Sequence, residues 1–310
     1  MDMPMKKIQL FPLVTALLCL LSACSQSVMQ TEPTTQATER LTGWQELSGQ
    51  KYYILEDGSP ATDWLEIDRK RYYFDQSGVL QTGWLELNGS TYYLDAQGCA
   101  VTGEVTIDGN TYHFTAQGQR ILLVNPWNPL PEDYEPELVK LSDFISSKEI
   151  YVERHCAEAL EKMIADCNAQ YPTACVISGY RTREYQQGLF DRKVDYYLEQ
   201  GYSKADAEIA AGKVVAVPGT SGHQTGLSVD IIDTRSWSLT EVQETLPAQQ
   251  WLMENCWRYG FILRYPQGTA EETGIIYEPW HYRYVGIELA KELYDSGLTL
   301  EAYIQKHTAQ

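Results

Sequence analysis

Alternating apolar and polar positions run through residues 42–121 and recur with a period of 20 residues. Each of the four units begins with a threonine, and the first three units place a tryptophan two residues later. Each unit also contains an aromatic pair: Tyr52-Tyr53, Tyr72-Tyr73, Tyr92-Tyr93 or Tyr112-His113. Short aromatic runs separated by glycine-containing turns predict β-hairpins. Because one hairpin cannot bury its apolar face alone, we expect the four units to stack.

Helical spacing replaces this alternation beyond a proline-rich segment at 125–131. Apolar residues at every third or fourth position predict helices over 153–169, 204–214, 248–259, 287–294 and 300–306. A further helix is expected after Thr182, which can cap it. Shorter apolar runs predict strands over 174–178 and 229–232, and a third over 274–282. The expected fold class is α+β, with helices around a small antiparallel sheet, preceded by a β-hairpin repeat array.

A short apolar run follows Lys6 and Lys7 near the start of the chain. The run, residues 8–21, is too short for a comfortable membrane span and is typical of a signal peptide. Its end, Leu21-Ser22-Ala23-Cys24, resembles the bacterial lipobox, which implies cleavage before Cys24 and lipidation of its thiol. The lipid would hold the protein at the outer face of the membrane; an ordinary secretory signal is the alternative.

These patterns divide the 310 residues into four parts. A signal peptide over 1–24 precedes a polar segment over 25–41, which has no apolar periodicity and predicts a flexible linker. The repeat array spans 42–121 and the C-terminal domain spans 122–310. A chain of this length exceeds one typical domain, in agreement with this division.

Composition narrows the range of partners. The chain has 24 Lys and Arg against 42 Asp and Glu, a formal net charge of −18. This argues against nucleic acid, because phosphate binding needs a basic face. Four cysteines fall in the C-terminal domain: Cys156, Cys167, Cys175 and Cys256. Disulfides are permitted outside the cell, and four cysteines allow three complete pairings; their spacing does not indicate a cysteine metal site.

A glycine-rich segment at 219–230 contains His223 and Asp230, which are candidate metal ligands. Zinc accepts imidazole nitrogen and carboxylate oxygen, and a catalytic site needs three protein ligands with one position open. His281 is the third candidate. Glu278, three residues before it, is suited to take a proton from the attacking water and return it to a leaving amine.

The motifs around these residues resemble those of the VanY-type zinc D-alanyl-D-alanine carboxypeptidases. That group also includes VanX-type dipeptidases and L,D-carboxypeptidases. The resemblance rests on Ser221-x-His223-x-x-Gly226-x-x-x-Asp230, Glu278-x-x-His281, Ser178-Gly179-Tyr180-Arg181-Thr182, Tyr185-Gln186 and residues 259–266. It covers roughly residues 126–306 in the family's order. One departure is Ser228, where the family more often has alanine; both residues are small.

The resemblance implies one Zn²⁺ per chain, held by His223, Asp230 and His281, with Glu278 as general base and then general acid. The reaction expected is hydrolysis of the C-terminal D-amino-acid bond of a peptidoglycan stem peptide. D,D-carboxypeptidase is favoured; L,D-carboxypeptidase and D,D-dipeptidase remain alternatives because the shape of the subsites decides among them. A non-catalytic wall-binding lipoprotein is a further alternative, although such a protein would not need a general base.

Four more residues are implied by motif match. Arg181 is expected either to stabilise the oxyanion or to bind the terminal carboxylate of the substrate. Gln186 and Ser221 are expected to hydrogen-bond the peptide, and Tyr180 to line the pocket.

The repeats resemble choline-binding and glucan-binding cell-wall repeats, which implies a cell-wall polymer as partner. In the choline-binding type, aromatic side chains of neighbouring hairpins enclose a quaternary ammonium group. The second tryptophan expected before each aromatic pair is replaced here by Lys51, Arg71, Thr91 and Thr111. Two cations at these positions argue against choline. The alternative is a spacer whose aromatic residues only hold the stack together.

Overall fold

The computed structural model describes residues 42–87, 90–143, 145–146 and 148–308. The predicted signal peptide, the linker and the proposed lipidation site Cys24 lie outside the described residues. Among the residues described, no helix is both long and apolar enough to cross a membrane.

Four antiparallel hairpins form the array, as the aromatic pattern predicts. Their strands are β1 (Gly43–Leu47), β2 (Gln50–Ile54), β3 (Asp63–Ile67), β4 (Lys70–Phe74), β5 (Gly83–Leu87), β6 (Ser90–Leu94), β7 (Gly103–Ile107) and β8 (Asn110–Phe114). A short strand β9 (Arg120–Ile121) adds to β8. The hairpins stack, because each of the three tryptophans contacts a tyrosine of its own hairpin and one of the next.

The recurring glycine of each unit has a steric cause. At Gly98 the backbone φ is +83°, a region that residues with a side chain rarely adopt. A Cβ atom there would also approach the side chain of Leu80 to 2.6 Å. The glycine therefore allows one unit to lie close to the unit before it.

The C-terminal domain is built around one antiparallel sheet. Its elements are β10 (Leu138–Lys140), β11 (Tyr151–Glu153), α1 (Arg154–Gln170), β12 (Ala174–Ser178), α2 (Arg183–Glu199), α3 (Lys204–Gly212), β13 (Ser228–Asp233), α4 (Pro247–Asn255), β14 (Phe261–Leu263), α5 (Ala270–Thr273), β15 (His281–Tyr284), α6 (Ile287–Ser296) and α7 (Leu300–Thr308). The main sheet has the order β12-β13-β15-β14 with antiparallel neighbours throughout. The predicted α+β class is confirmed.

Helix α1 covers this sheet and forms much of the core. Its buried face consists of Cys156, Leu160, Met163, Ile164 and Cys167. These side chains pack in one cluster with apolar residues of β12, β13 and α4. Burying each large apolar side chain contributes about 1.5–3 kcal/mol, so the cluster fixes the strands that carry the candidate site.

The predicted cap of α2 is confirmed, since the Thr182 hydroxyl accepts the Tyr185 N–H at 3.1 Å. The thiols of Cys156, Cys167 and Cys256 are free, so none of the three complete cysteine pairings is formed.

The strand predicted over 274–282 is wrong at its start, because β15 begins only at His281. Pro279 has no N–H group and cannot join a strand ladder. The chain instead turns, and the His281 N–H donates to the Glu278 carbonyl at 3.2 Å. Gln249 Nε2, on α4, donates to the Pro279 carbonyl and so fixes the turn to that helix. The turn folds the Glu278 carboxylate back towards the His281 ring.

The chain passes from the array into the C-terminal domain through a packed interface. Ile121 of β9 is buried in a cluster with apolar residues of α6 and α7. Gln119 Nε2 donates to the Val285 carbonyl at 2.7 Å, and Arg283 Nη2 donates to the Leu122 carbonyl at 3.0 Å. Glu301 of α7 completes the contact, because its carboxylate accepts from Asn125 at 2.9 Å and pairs with the buried Arg264.

Candidate metal centre

The three predicted ligands come from three neighbouring segments. His223 lies on a 3₁₀ turn (Gly222–Thr225), Asp230 lies within β13, and His281 is the first residue of β15. The register of β13 and β15 places Asp230 directly opposite His281. Asp230 Oδ1 is 3.3 Å from His223 Nε2 and 3.2 Å from His281 Nδ1. All three ligand atoms lie within 4.8 Å of one another, as the sequence predicts.

This arrangement fits a zinc ion. Asp230 Oδ1 is buried and has no hydrogen-bond partner, although two imidazole nitrogens face it. A buried oxygen in that state costs free energy unless something satisfies it. Two imidazole nitrogens and one carboxylate oxygen are a ligand set that zinc prefers, and a three-residue set leaves a position open.

The surroundings of His223 prepare it as a ligand. Its Nδ1 lies 2.8 Å from the Gly179 carbonyl oxygen, which favours the tautomer in which Nε2 presents its lone pair to Asp230. Burial, together with the nearby Arg181 guanidinium, lowers the pKa of His223 to about 4. The ring is therefore neutral at physiological pH, as a metal ligand must be.

Arg181 holds the other side of the carboxylate ligand. Its Nη2 donates to Asp230 Oδ2 at 2.6 Å, while Nε and Nη2 both donate to the Ser178 hydroxyl at 3.0 and 2.9 Å. Burial alone would raise the pKa of Asp230, but the permanently charged Arg181 guanidinium helps to hold that pKa well below its usual range. Asp230 is therefore fixed in orientation and in its charged form.

Glu278 lies beside the ligand set and outside it. Its side chain is buried, and Oε2 is 3.3 Å from His281 Nδ1. Burial raises the pKa of Glu278. That direction suits a group that must take a proton and give it back near neutral pH.

A cavity of about 260 Å³ opens onto these residues. Besides the ligands, Glu278 and Arg181, its lining consists of Gln186, Leu189, Lys193, Val214, Val215, Ala216, Ser221, Leu239, Tyr265, Ile275 and Trp280. The walls are mostly apolar and the charged groups converge at one place, as in sites that bind small ligands. Sequence reasoning missed Lys193, Tyr265 and Trp280 as lining residues, although the last two lie inside or beside the quoted motifs.

The remaining predicted site residues differ in their placement. Ser221 lines the cavity. Gln186 also lines it but is fully buried: Nε2 donates to the Ala216 carbonyl at 2.7 Å and Oε1 accepts from Arg181 at 3.4 Å. Its amide therefore supports Arg181 and also borders the cavity; the predicted bond to a peptide stays a prediction. Tyr180 is not among the lining residues, so that prediction is wrong; its N–H donates to the Tyr151 carbonyl at 2.7 Å.

Gly179 should be intolerant of a side chain. A Cβ atom there would come within 2.5 Å of the Tyr151 carbonyl oxygen and 2.6 Å of Ile150 Cγ2, so the backbone must move. That movement displaces the carbonyl that orients His223. We expect Gly179→Ala to weaken zinc binding by about 10–100-fold, measured by competition with a chelator. Gly188→Ala on α2, where a Cβ meets only the Arg192 side chain at 3.4 Å, is the control. Equal affinity in both variants would contradict the role of this carbonyl.

Family models match both parts of the chain. The model for VanY, D-alanyl-D-alanine carboxypeptidase, matches residues 149–287. The model for a choline-binding repeat matches residues 41–81 and 61–100.

Two relatives in Enterococcus support the first match. The chain is 45% identical over 185 residues to a D-alanyl-D-alanine carboxypeptidase of Enterococcus faecalis, a match that covers 59% of this chain and 65% of that protein. It is 32% identical over 186 residues to VanXYC of Enterococcus gallinarum, a bifunctional D-Ala-D-Ala dipeptidase and D-Ala-D-Ala carboxypeptidase. That match covers 58% of this chain and 91% of the relative.

Solved structures agree. One is a mutant of the vancomycin-resistance D,D-pentapeptidase VanY in complex with Zn(II), which is 43% identical to this chain. The match covers 59% of this chain and 97% of the VanY chain, with a TM-score of 0.52. Another is the LdcB LD-carboxypeptidase, which is 35% identical to this chain. That match covers 66% of this chain and 94% of the LdcB chain, with a TM-score of 0.54. With the motif residues assembled at one site and these relatives matched over most of their length, the chain belongs to the VanY family of D-alanyl-D-alanine carboxypeptidases.

Proposed function

We propose that this protein is a zinc-dependent D,D-carboxypeptidase that removes the C-terminal D-alanine from peptidoglycan stem peptides. The observation that carries the proposal is the convergence of His223, Asp230 and His281 on one buried point, with Glu278 beside them at a cavity. Binding zinc alone would not require a buried carboxylate next to the ligand set. The D-Ala-D-Ala specificity of the matched relatives supports the choice of substrate.

The chain's own residues account for the proton transfers. When bound by the three ligands, zinc supplies Lewis-acid chemistry for amide hydrolysis. Glu278 takes a proton from the water whose oxygen attacks the carbonyl carbon of the scissile bond. It then returns that proton to the nitrogen of the departing D-alanine as the C–N bond breaks. The raised pKa of Glu278 serves both steps.

The family resemblance implies that Arg181 stabilises the oxyanion or binds the terminal carboxylate of the substrate. Its contacts suggest a different role. The guanidinium is committed to Asp230 and Ser178, so we assign it to positioning the carboxylate ligand. Lys193 also lines the cavity and forms no ion pair with any residue that the structure describes. Its ammonium group lies 5.2 Å from the ring centroid of Tyr196 on the same helix, and we propose that it binds the free carboxylate of the terminal D-alanine.

The other parts of the chain suggest where the enzyme works. We infer that the lipid on Cys24 holds the protein at the outer face of the membrane and that the repeats hold it at a cell-wall polymer. The lipobox and the choline-binding repeat match support this location. A wall-binding array also suits a polymer-bound stem better than a free dipeptide.

The test is an assay on three substrates with the purified, zinc-loaded protein. The substrates are a pentapeptide stem ending in D-Ala-D-Ala, its tetrapeptide product and free D-Ala-D-Ala, with release of D-alanine followed by mass spectrometry. We expect the pentapeptide to lose one D-alanine. Cleavage of the tetrapeptide alone would make the protein an L,D-carboxypeptidase, and cleavage of the free dipeptide alone would make it a dipeptidase. If zinc is bound and none of the three substrates is cleaved, the result would support the alternative of a non-catalytic wall-binding protein.

A further inference from the structure

Two of the three tryptophans in the repeat array already have a cation of the chain on their rings. The Arg71 guanidinium carbon lies 4.3 Å from the ring centroid of Trp64. The Arg120 guanidinium carbon lies 5.6 Å from the centroid of Trp84 and 4.8 Å from that of Tyr112. All three distances fall within the range of cation–π attraction, which is strongest on tryptophan.

These contacts lie where neighbouring hairpins meet. Trp64 of the second hairpin is 4.9 Å from Tyr92 of the third, and Trp84 of the third is 5.0 Å from Tyr112 of the fourth. Arg120 therefore lies against rings of two stacked units, and Arg71 lies over Trp64 where the second unit meets the third. An external cation recognised by those faces would need the same space.

Arg71 is held in this place by a bond across the array. Its Nη1 donates to the Gln117 carbonyl at 2.8 Å, which joins strand β4 to the turn that follows β8. Its own carbonyl accepts the Ala100 N–H at 2.8 Å. The guanidinium thus ties the second unit to the fourth in addition to covering Trp64. Displacing it would break a contact between units that are not neighbours in sequence.

The first hairpin differs. Lys51 takes the position that Arg71 has in the second hairpin, but no cation of the described chain lies over the Trp44 ring. A cavity of about 300 Å³ remains beside Trp44 and Tyr72, lined also by Gln45, Glu46, Lys51 and Gln97. A cavity of about 430 Å³ also lies beside Trp64 and Tyr92, but there the Arg71 side chain lines it and covers the tryptophan ring. The junctions therefore differ in whether a cation of the described chain already lies over the tryptophan.

We propose that Arg71 and Arg120 are built-in ligands that take the place of a quaternary ammonium group at Trp64 and Trp84. The array is then held together by its own cations, and these two junctions are closed to choline. Only the junction at Trp44 stays accessible to a ligand from the wall. This inference uses the proposed wall-binding role of the repeats only to choose choline as the probe. It does not depend on peptidase activity.

The test is choline binding to the full chain by equilibrium dialysis. We expect at most one choline per wild-type chain, at the Trp44 junction, and one additional choline per chain in Arg71→Ala. Lys70→Ala is the control, because Lys70 is an exposed cation next to Arg71 in sequence and contacts no ring; it should bind as the wild type does.

Two results would overturn the proposal. Binding of two or more cholines by the wild-type chain would show that the arginines do not close their junctions. A folded Arg71→Ala protein, verified by circular dichroism, that gains no choline would show that the guanidinium does not occupy a ligand's place. Arg120→Ala opens the Trp84 junction independently and must also gain one choline, so the proposal stays testable if Arg71→Ala does not fold.

Discussion

Replacing Glu278 with glutamine should lower kcat for the pentapeptide by about 10²–10⁴-fold, the usual contribution of a general base and acid. Glutamine keeps the size of the side chain, so the cavity and the turn before β15 are retained. It cannot accept the proton of the attacking water or return it to the leaving amine. Because Glu278 is not one of the three ligands, the variant should still bind one zinc per chain. Release of D-alanine and zinc content by mass spectrometry measure the two effects separately.

The control is Glu271→Gln, which makes the same change of charge at an exposed position of α5. This variant should match the wild type in both measurements. Undiminished turnover by Glu278→Gln would remove Glu278 from the mechanism. Loss of zinc from that variant would instead make Glu278 part of the metal site, in conflict with the geometry.

His223→Ala should abolish activity by a different route, through loss of the metal. The substitution removes one of three ligand atoms and leaves Asp230 Oδ1 facing only His281. Changes to groups that merely orient a ligand cost about 10–100-fold in metal affinity, so loss of a ligand should cost at least about 100-fold. Competition with a chelator measures the affinity, and the peptidase assay should show no turnover at zinc concentrations that saturate the wild type.

His307→Ala is the matched control. His307 lies on α7, where its Nδ1 contacts the Tyr303 carbonyl, and it is not among the residues that line the cavity. It should keep wild-type zinc affinity and turnover. A His223→Ala protein that binds zinc as tightly as the wild type would exclude His223 as a ligand.

The sequence predicted those elements whose signals are local. The hairpins follow from a repeated aromatic alternation, and β12 and α1 follow from short-range apolar spacing and agree within a residue or two. The metal ligands were predicted because two of them flank a glycine-rich turn and strand, and the third follows a distinctive Glu-Pro-Trp-His segment. Their convergence depends on the antiparallel register of β13 and β15, which places Asp230 opposite His281.

The features that could not be predicted from the sequence depend on contacts between residues that are distant in the chain. The start of β15 was misplaced because the turn at Pro279 is held by Gln249, thirty positions earlier. Gln186 was predicted as a site residue from its motif, but its bond to the Ala216 carbonyl on another loop could not be predicted. In the array, the sequence showed a cation at position 71; only the stacked hairpins show that it covers Trp64.

The packed interface at residues 119–125 has a mechanical consequence. A tension applied to the array by the wall would reach the C-terminal domain through the Gln119–Val285 and Arg283–Leu122 bonds. Both bonds end on β15 or the residue after it, on the strand that begins with His281. These bonds fix the strand that carries His281 relative to the last unit of the array. Under the proposed function, with the repeats bound to a wall polymer, stem peptides would be selected by their position and orientation along that polymer as well as by their chemistry.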